Sequence, residues 1–470
     1  MKFEDLTLTE LVKLIKEKKV TSEELTTYFI SRCEEKKDYN AVLEIFDDAL
    51  ERAKEMDKKI SQGFAGKLAG IPVIIKDNIL YEGKKCTCAS KFLEDYVAQY
   101  SSTVVEKLLQ EGAIIIARAN MDEFAMGSST ENSAYGVTHN ALDFDRVPGG
   151  SSGGSAVSVA LGLAPLSLGT DTGGSIRQPS AYNGIVGIKP TYGRVSRYGV
   201  VAFASSIEQV GPMTKTVKDN AFALEVLAGK SNDDETSVDA KIDFLQDIDK
   251  GVKGLKIGLV TEVEALLKGM ESEKAYQKAI EILKSQGAEF VHVSLPSFKM
   301  ALPCYYIIAP AEATSNLGRF DGIKYSKRAE GKDINETYTK SRSAGFGKEV
   351  KRRIMLGNFV LSSGFFDAYY NKAKAVQQKL KEESKLIFDL CDAVLLPTTT
   401  GEAFKLGAIT DPVSMYKEDF FTIPANVMGL PAISIPLEKG SAGMPLSVQI
   451  MGKEFDEKTI YRIANSIERR

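Results

Sequence analysis

The residues able to do chemistry concentrate between Val147 and Tyr182, VPGGSSGGSAVSVALGLAPLSLGTDTGGSIRQPSAY, where two glycine–serine turns bracket a short apolar segment. In the first turn, Gly149 to Gly154, the missing Cβ atoms let main chain approach a ligand closely. The second turn, Thr172-Gly173-Gly174-Ser175, follows a buried-strand pattern and leads into a helical segment around Ile176 and Arg177. Backbone N–H groups of Thr172, Gly173 and Gly174 at such a turn suit a developing oxyanion, with Ser175 as the nucleophile. A serine nucleophile needs a proton acceptor. Lys76 ends the apolar run Gly70 to Ile75, and a lysine in a poorly hydrated site loses its proton more easily than one in water. A neutral Lys76 that takes the Ser175 proton through the Ser151 hydroxyl gives an acyl-transfer relay.

Other readings of the same residues stay open. Gly150 to Gly154 also fits G-x-S-x-G with Ser152 as nucleophile, which leaves His292 as its downstream base. The turns could hold an anion without catalysis, although neither G-x-x-x-x-G-K-[ST] nor G-x-G-x-x-G occurs near them. A flexible linker does not carry a strand between its glycines. With only two histidines, His139 and His292, the close pair Cys86 and Cys88 finds no zinc partners, and no metal is expected.

The elements that position these groups follow from periodicity. Thr7 to Glu10 and Thr21 to Glu24 are capping boxes ahead of two N-terminal helices, at about 7–36. Strands are expected at Ala41 to Phe46, Gly70 to Ile75, Ala113 to Ala117, Leu166 to Gly169 and Ile185 to Ile188, then near 256–260, 289–294, 393–396, 432–436 and 447–451. Helices fall between many of them, at 47–60, 103–110, 155–163, 217–227 and 272–285. That alternation predicts one α/β domain over residues 1–470, a mixed sheet covered by helices on both faces. The polar stretch Lys230 to Lys253 is the best place for an internal break. The chain carries 60 basic and 63 acidic residues, so no overall field favours nucleic acid or an anionic membrane. No apolar leader or membrane span is evident, and the cytoplasm is the expected location. Five scattered cysteines argue against a disulfide framework.

Lys76, PGGSSGGSA and GTDTGGSIRQPSAYNGIVGIKPT together resemble the amidase signature family, which works through a Ser-cisSer-Lys triad. The resemblance makes Ser175 the acyl nucleophile, Ser151 the bridging serine on a cis peptide and Lys76 the base. It extends through MDEFAMGSSTENSAYG, GRVSRYGVVAFASSIEQVGPMTK, AEATSNLGRFDGIKY, SRSAGFGKEVKRRIMLG and FFTIPANVMGLPAISIP, segments similar to the glutaminase branch of that family, which serves tRNA-dependent amidation. Val350, Arg353, Ile354 and Gly357 share one helix face, so Arg353 is a cation on an apolar stripe and needs an anion. The resemblance implies the α-carboxylate of glutamine there, Asp419 for the α-ammonium and Tyr305 closing the pocket. It also implies an assembly of three different subunits. The B subunit would use ATP and Mg to activate Glu-tRNA(Gln) and/or Asp-tRNA(Asn) and carry most of the tRNA contact. A small C subunit would brace the pair, and this chain would hold no cofactor. The alternative is a free-standing amidase on other small amides.

Overall fold

Eleven strands pair into one sheet in the computed structural model, which describes residues 2–469. They are β1 (Val42–Ile45), β2 (Pro72–Lys76), β3 (Ile114–Ala119), β4 (Leu166–Asp171), β5 (Val186–Lys189), β6 (Gln209–Thr214), β7 (Lys256–Val260), β8 (Glu289–Val293), β9 (Ala393–Pro397), β10 (Ala432–Lys439) and β11 (Pro445–Gly452). Their order is β1-β3-β2-β4-β6-β5-β10-β11-β9-β7-β8. The block β3-β2-β4 is parallel, as is β9-β7-β8, while the strands between pair antiparallel. β2, β3, β4, β6, β9 and β11 are buried at every position. Strands without a polar face belong to a sheet covered on both sides, here by helices.

Both N-terminal capping boxes form, on helices Leu8–Lys16 and Ser22–Glu35. The helix expected from Ser155 starts earlier, at Gly153, so the Ser151 turn leads straight into it. The sequence reading missed β6, whose Gly211 and Pro212 lower its strand propensity. Tertiary packing overrides that bias: Gly211 faces Gly169 of β4, and a Cβ on Gly211 would come within 2.1 Å of the Ile188 carbonyl oxygen. The stretch 230–253 contains turns but no helix or strand, and among the described residues no second sheet follows it.

A helical layer from 301 to 388 was also largely unread. Helix Ala301–Asn316 packs against Lys348–Leu361, Lys372–Phe388 and Ile423–Met428. At its crossing with Lys348–Leu361, a Cβ on Gly357 would lie 2.1 Å from the Pro310 carbonyl oxygen. Gly357 therefore lets the two helices approach closely, which brings Arg353 to the Tyr305 side of the layer.

Candidate active site

Lys76 is the last residue of β2 and has no exposed surface. Its Nζ stands 2.8 Å from Ser151 Oγ, 2.7 Å from Ser152 Oγ and 2.9 Å from Thr170 Oγ1. These are hydroxyls, and no carboxylate lies within ion-pair distance of it among the described residues. Burial without a counter-ion lowers the ammonium pKa to about 7, against the more distant pull of Asp122 and Asp171. Ser152 Oγ donates to the Thr170 carbonyl at 3.1 Å, so its lone pairs face the lysine. That arrangement makes Ser152 an acceptor that orients Nζ and leaves Ser151 as the hydroxyl able to relay a proton. The Gly150-Ser151 peptide is cis. Ser151 is anchored by its carbonyl, which accepts from Asp122 N at 3.1 Å, and Gly150 N donates to Gln178 Oε1 at 2.9 Å.

The second turn is folded around Asp171, the last residue of β4. Its carboxylate accepts from the amides of Gly174 (2.9 Å), Ile176 (3.2 Å) and Arg177 (3.3 Å), and from Arg177 Nε and Nη2, each at 3.0 Å. Burial pushes the Asp171 pKa up, but Arg177 and Asn426 outweigh it and bring it to about 2. The oxyanion expectation needs a correction here, because the Gly174 amide is already committed to Asp171. The amides of Thr172, Gly173 and Ser175 keep no partner among the described residues, and neither does the buried Thr172 Oγ1. Ser175 lies against the first turn: its carbonyl accepts from Ser152 N at 3.2 Å, and its side chain makes no hydrogen bond among the described residues. Tyr305 lies over this turn, where a Cβ on Gly173 would come within 2.9 Å of its phenol oxygen.

Arg353 and Asp419 converge on Tyr306. The Arg353 guanidinium lies 5.2 Å from the Tyr306 ring centroid, and Tyr306 Oη donates to Asp419 Oδ2 at 3.3 Å. Ser128 Oγ donates to the same carboxylate oxygen at 2.5 Å. Burial raises Asp419 to about 7, opposed by Ser128 and Arg353. Thr422 ties this corner to the second turn, since its Oγ1 donates to the Gly173 carbonyl at 2.6 Å and to the Asp419 carbonyl at 3.1 Å. The apolar-stripe argument for Arg353 was incomplete: Glu349 already supplies an anion, accepting from Arg353 Nε at 2.8 Å. An i,i+4 Glu–Arg pair was visible in the sequence. Ser128, Thr170 and Tyr306 had no such local signal.

The histidine alternative fails on geometry. His292 is exposed on β8, the far edge of the sheet, with its Nδ1 3.0 Å from Glu264, while Ser152 is enclosed with Lys76. Among the described residues, no group of three or more His, Cys, Asp or Glu side chains is placed to hold a metal ion. Residues 24–461 match the protein family described as Amidase. The chain belongs to the amidase family. This amidase is 49% identical to the A subunit of the Glutamyl-tRNA(Gln) amidotransferase of Pelagibacter ubique, over 98% of this chain and 96% of that one. It is also 49% identical to the protein of that name from Caldanaerobacter subterraneus, over 100% and 97%. The crystal structure of the A subunit of the Thermotoga maritima Glutamyl-tRNA(Gln) amidotransferase superposes with a TM-score of 0.83 at 41% identity, covering 100% of this amidase and 95% of that chain. The peptide amidase of Stenotrophomonas maltophilia superposes with a TM-score of 0.84 at 28% identity, covering 100% and 97%.

Proposed function

We propose that this amidase is the glutamine-hydrolysing subunit of a tRNA-dependent amidotransferase. The observation that carries the reading is a buried lysine bonded to the Ser151 hydroxyl, next to a second turn that Thr422 ties to a corner where a cation and a carboxylate meet at Tyr306. A simple amide offers nothing to those two charges. The α-carboxylate and α-ammonium of glutamine match both, with Tyr305 closing the pocket, and the full-length similarity to amidotransferase A subunits supports the same assignment.

In this mechanism neutral Lys76 accepts a proton from Ser151 as Ser151 accepts one from Ser175, and Ser175 Oγ attacks the glutamine Cδ. The carbonyl electron pair moves onto oxygen, held by the amides of Thr172, Gly173 and Ser175. Collapse breaks the C–N bond, and the relay returns the proton to the departing nitrogen, leaving ammonia and a γ-glutamyl ester on Ser175. Water, deprotonated through the same relay, then releases glutamate. The ammonia goes to a partner, the B subunit, which uses ATP and Mg to activate Glu-tRNA(Gln) and/or Asp-tRNA(Asn), in a cytoplasmic complex completed by a small C subunit. No described helix is long and apolar enough to cross a membrane.

Mass spectrometry of the chain quenched during glutamine turnover tests the assignment. A γ-glutamyl adduct is expected on Ser175, absent in Ser175→Ala together with glutaminase activity. An adduct on Ser152 would overturn the nucleophile. A wild type that hydrolysed only aliphatic or peptide amides would instead favour the free-standing amidase, a reading supported by the likeness to peptide amidase.

A further inference from the structure

Glu349 lies four residues before Arg353 on helix Lys348–Leu361 and, like it, is buried. Its Oε1 accepts both from Arg353 Nε at 2.8 Å and from Tyr416 Oη at 3.0 Å, and its Oε2 accepts from Arg352 Nη1. The Tyr416 ring in turn stacks on Tyr306 at a centroid distance of 3.9 Å. Arg353 is thus held by its Nε edge and bracketed by Phe203, Tyr306 and Tyr416, Tyr305 is its further hydrogen-bonding neighbour, and among the described residues no carboxylate but Glu349 pairs with the guanidinium, whose Nη side can take another. A cavity of about 180 Å³ reaches from Gly127, beside Ser128, to Glu349, Arg353 and Tyr416.

We propose that Glu349 is a positioning residue for amino-acid recognition: by fixing Nε and receiving Tyr416, it aims the Nη fork of Arg353 at the substrate carboxylate. The inference rests on the glutamine reading above. A planar guanidinium recognises a carboxylate through two parallel N–H bonds, so its orientation matters as much as its charge. Charge alone predicts the opposite effect. If Glu349 merely competed with the substrate for Arg353, its neutralisation would strengthen glutamine binding. If it positions the fork, neutralisation weakens binding although the site becomes more positive.

That difference in sign makes the test. Steady-state kinetics on glutamine and on butyramide are compared for wild type, Glu349→Gln and Tyr416→Phe, in the full chain with its partner subunits. Glu349→Gln is expected to raise the KM for glutamine about tenfold, with kcat changed far less, and to lose about tenfold more on glutamine than on butyramide. Tyr416→Phe should shift KM the same way by less, and the double variant should be less than additive because both bonds end on one oxygen. An unchanged or lower KM for glutamine in Glu349→Gln overturns the proposal. So do equal losses on both amides, which mark a packing role. If the wild type does not prefer glutamine to butyramide, the functional reading falls and this inference with it; a wild-type preference that Glu349→Gln leaves intact overturns the inference alone.

Discussion

At Lys76 the balance between desolvation and attraction sets the working pH. Because burial holds the ammonium pKa near 7, the neutral base is scarce below that value and predominates above it. The kcat for glutamine should therefore rise with pH through about 7, and Lys76→Ala should lose about 10²–10⁴-fold. Near-normal turnover of Lys76→Ala would rule out the relay. Asp419 has the same midpoint with the opposite charge logic: raised to about 7 by burial, it is ionised above that pH, where it attracts an α-ammonium. The KM for glutamine should accordingly fall as pH rises through about 7, and that dependence should vanish in Asp419→Asn. Arg353 stays charged throughout, since its aromatic and Glu349 neighbours keep its pKa above the ordinary value despite burial. Arg353→Ala should cost about 2–5 kcal/mol in kcat/KM for glutamine and far less for butyramide. Equal losses on the two substrates would separate Arg353 from substrate recognition.

The second turn behaves as one element. Asp171 gathers three amides and the Arg177 guanidinium, and Arg177 Nη1 extends the network to the Thr422 carbonyl and Gln449 Oε1, each at 2.9 Å. Two glycines are required for different reasons. Gly174 has a φ of +141°, and a Cβ there would come within 2.3 Å of Thr422 Oγ1; Gly173 leaves room for Tyr305. Gly173→Ala should push the Tyr305 ring and the adjacent amide off their positions, and displacements of about 1 Å can cost about a hundredfold in rate. Because the oxyanion is common to every amide, a large loss should appear in kcat/KM for butyramide too, with a further loss for glutamine because Tyr305 closes its pocket. A loss confined to glutamine would place Gly173 in substrate recognition instead.

Across the whole molecule, helix Val217–Leu227 fastens both ends of the chain to the sheet. Asp219 accepts from the Leu8 and Thr9 amides at 2.9 and 3.0 Å, which caps the first helix from a distance in sequence of 210 residues or more. Glu468 near the C-terminus accepts from Val217 N at 2.9 Å. Asp219→Ala strands those amides and should cost about 1–2 kcal/mol of stability, read as a lower denaturant midpoint with unchanged kcat/KM for glutamine. An unaltered midpoint would mean that the Asp219 contacts add nothing to the docking of the N-terminal helices.

The sequence by itself determined what local chemistry fixes. Glycine–serine turns, capping threonines with glutamates three residues on, and the buried runs ending at Ile75 and Gly169 each carry their structural signal within a few residues. The two turns, the placing of Lys76 at a strand end and most of the sheet were legible for that reason. Only the tertiary structure decided which groups those turns would meet. β6 was hidden because Gly211 and Pro212 suppress the local signal while partners on both sides supply the pairing. Gly174 could not be excluded as an oxyanion donor until Asp171 was seen to take its amide. The recognition corner joins residues 128, 306, 353 and 419 from helices and loops far apart in the chain. Burial and neighbours, which shift the charge states of Lys76 and Asp419, exist only once those segments have packed together.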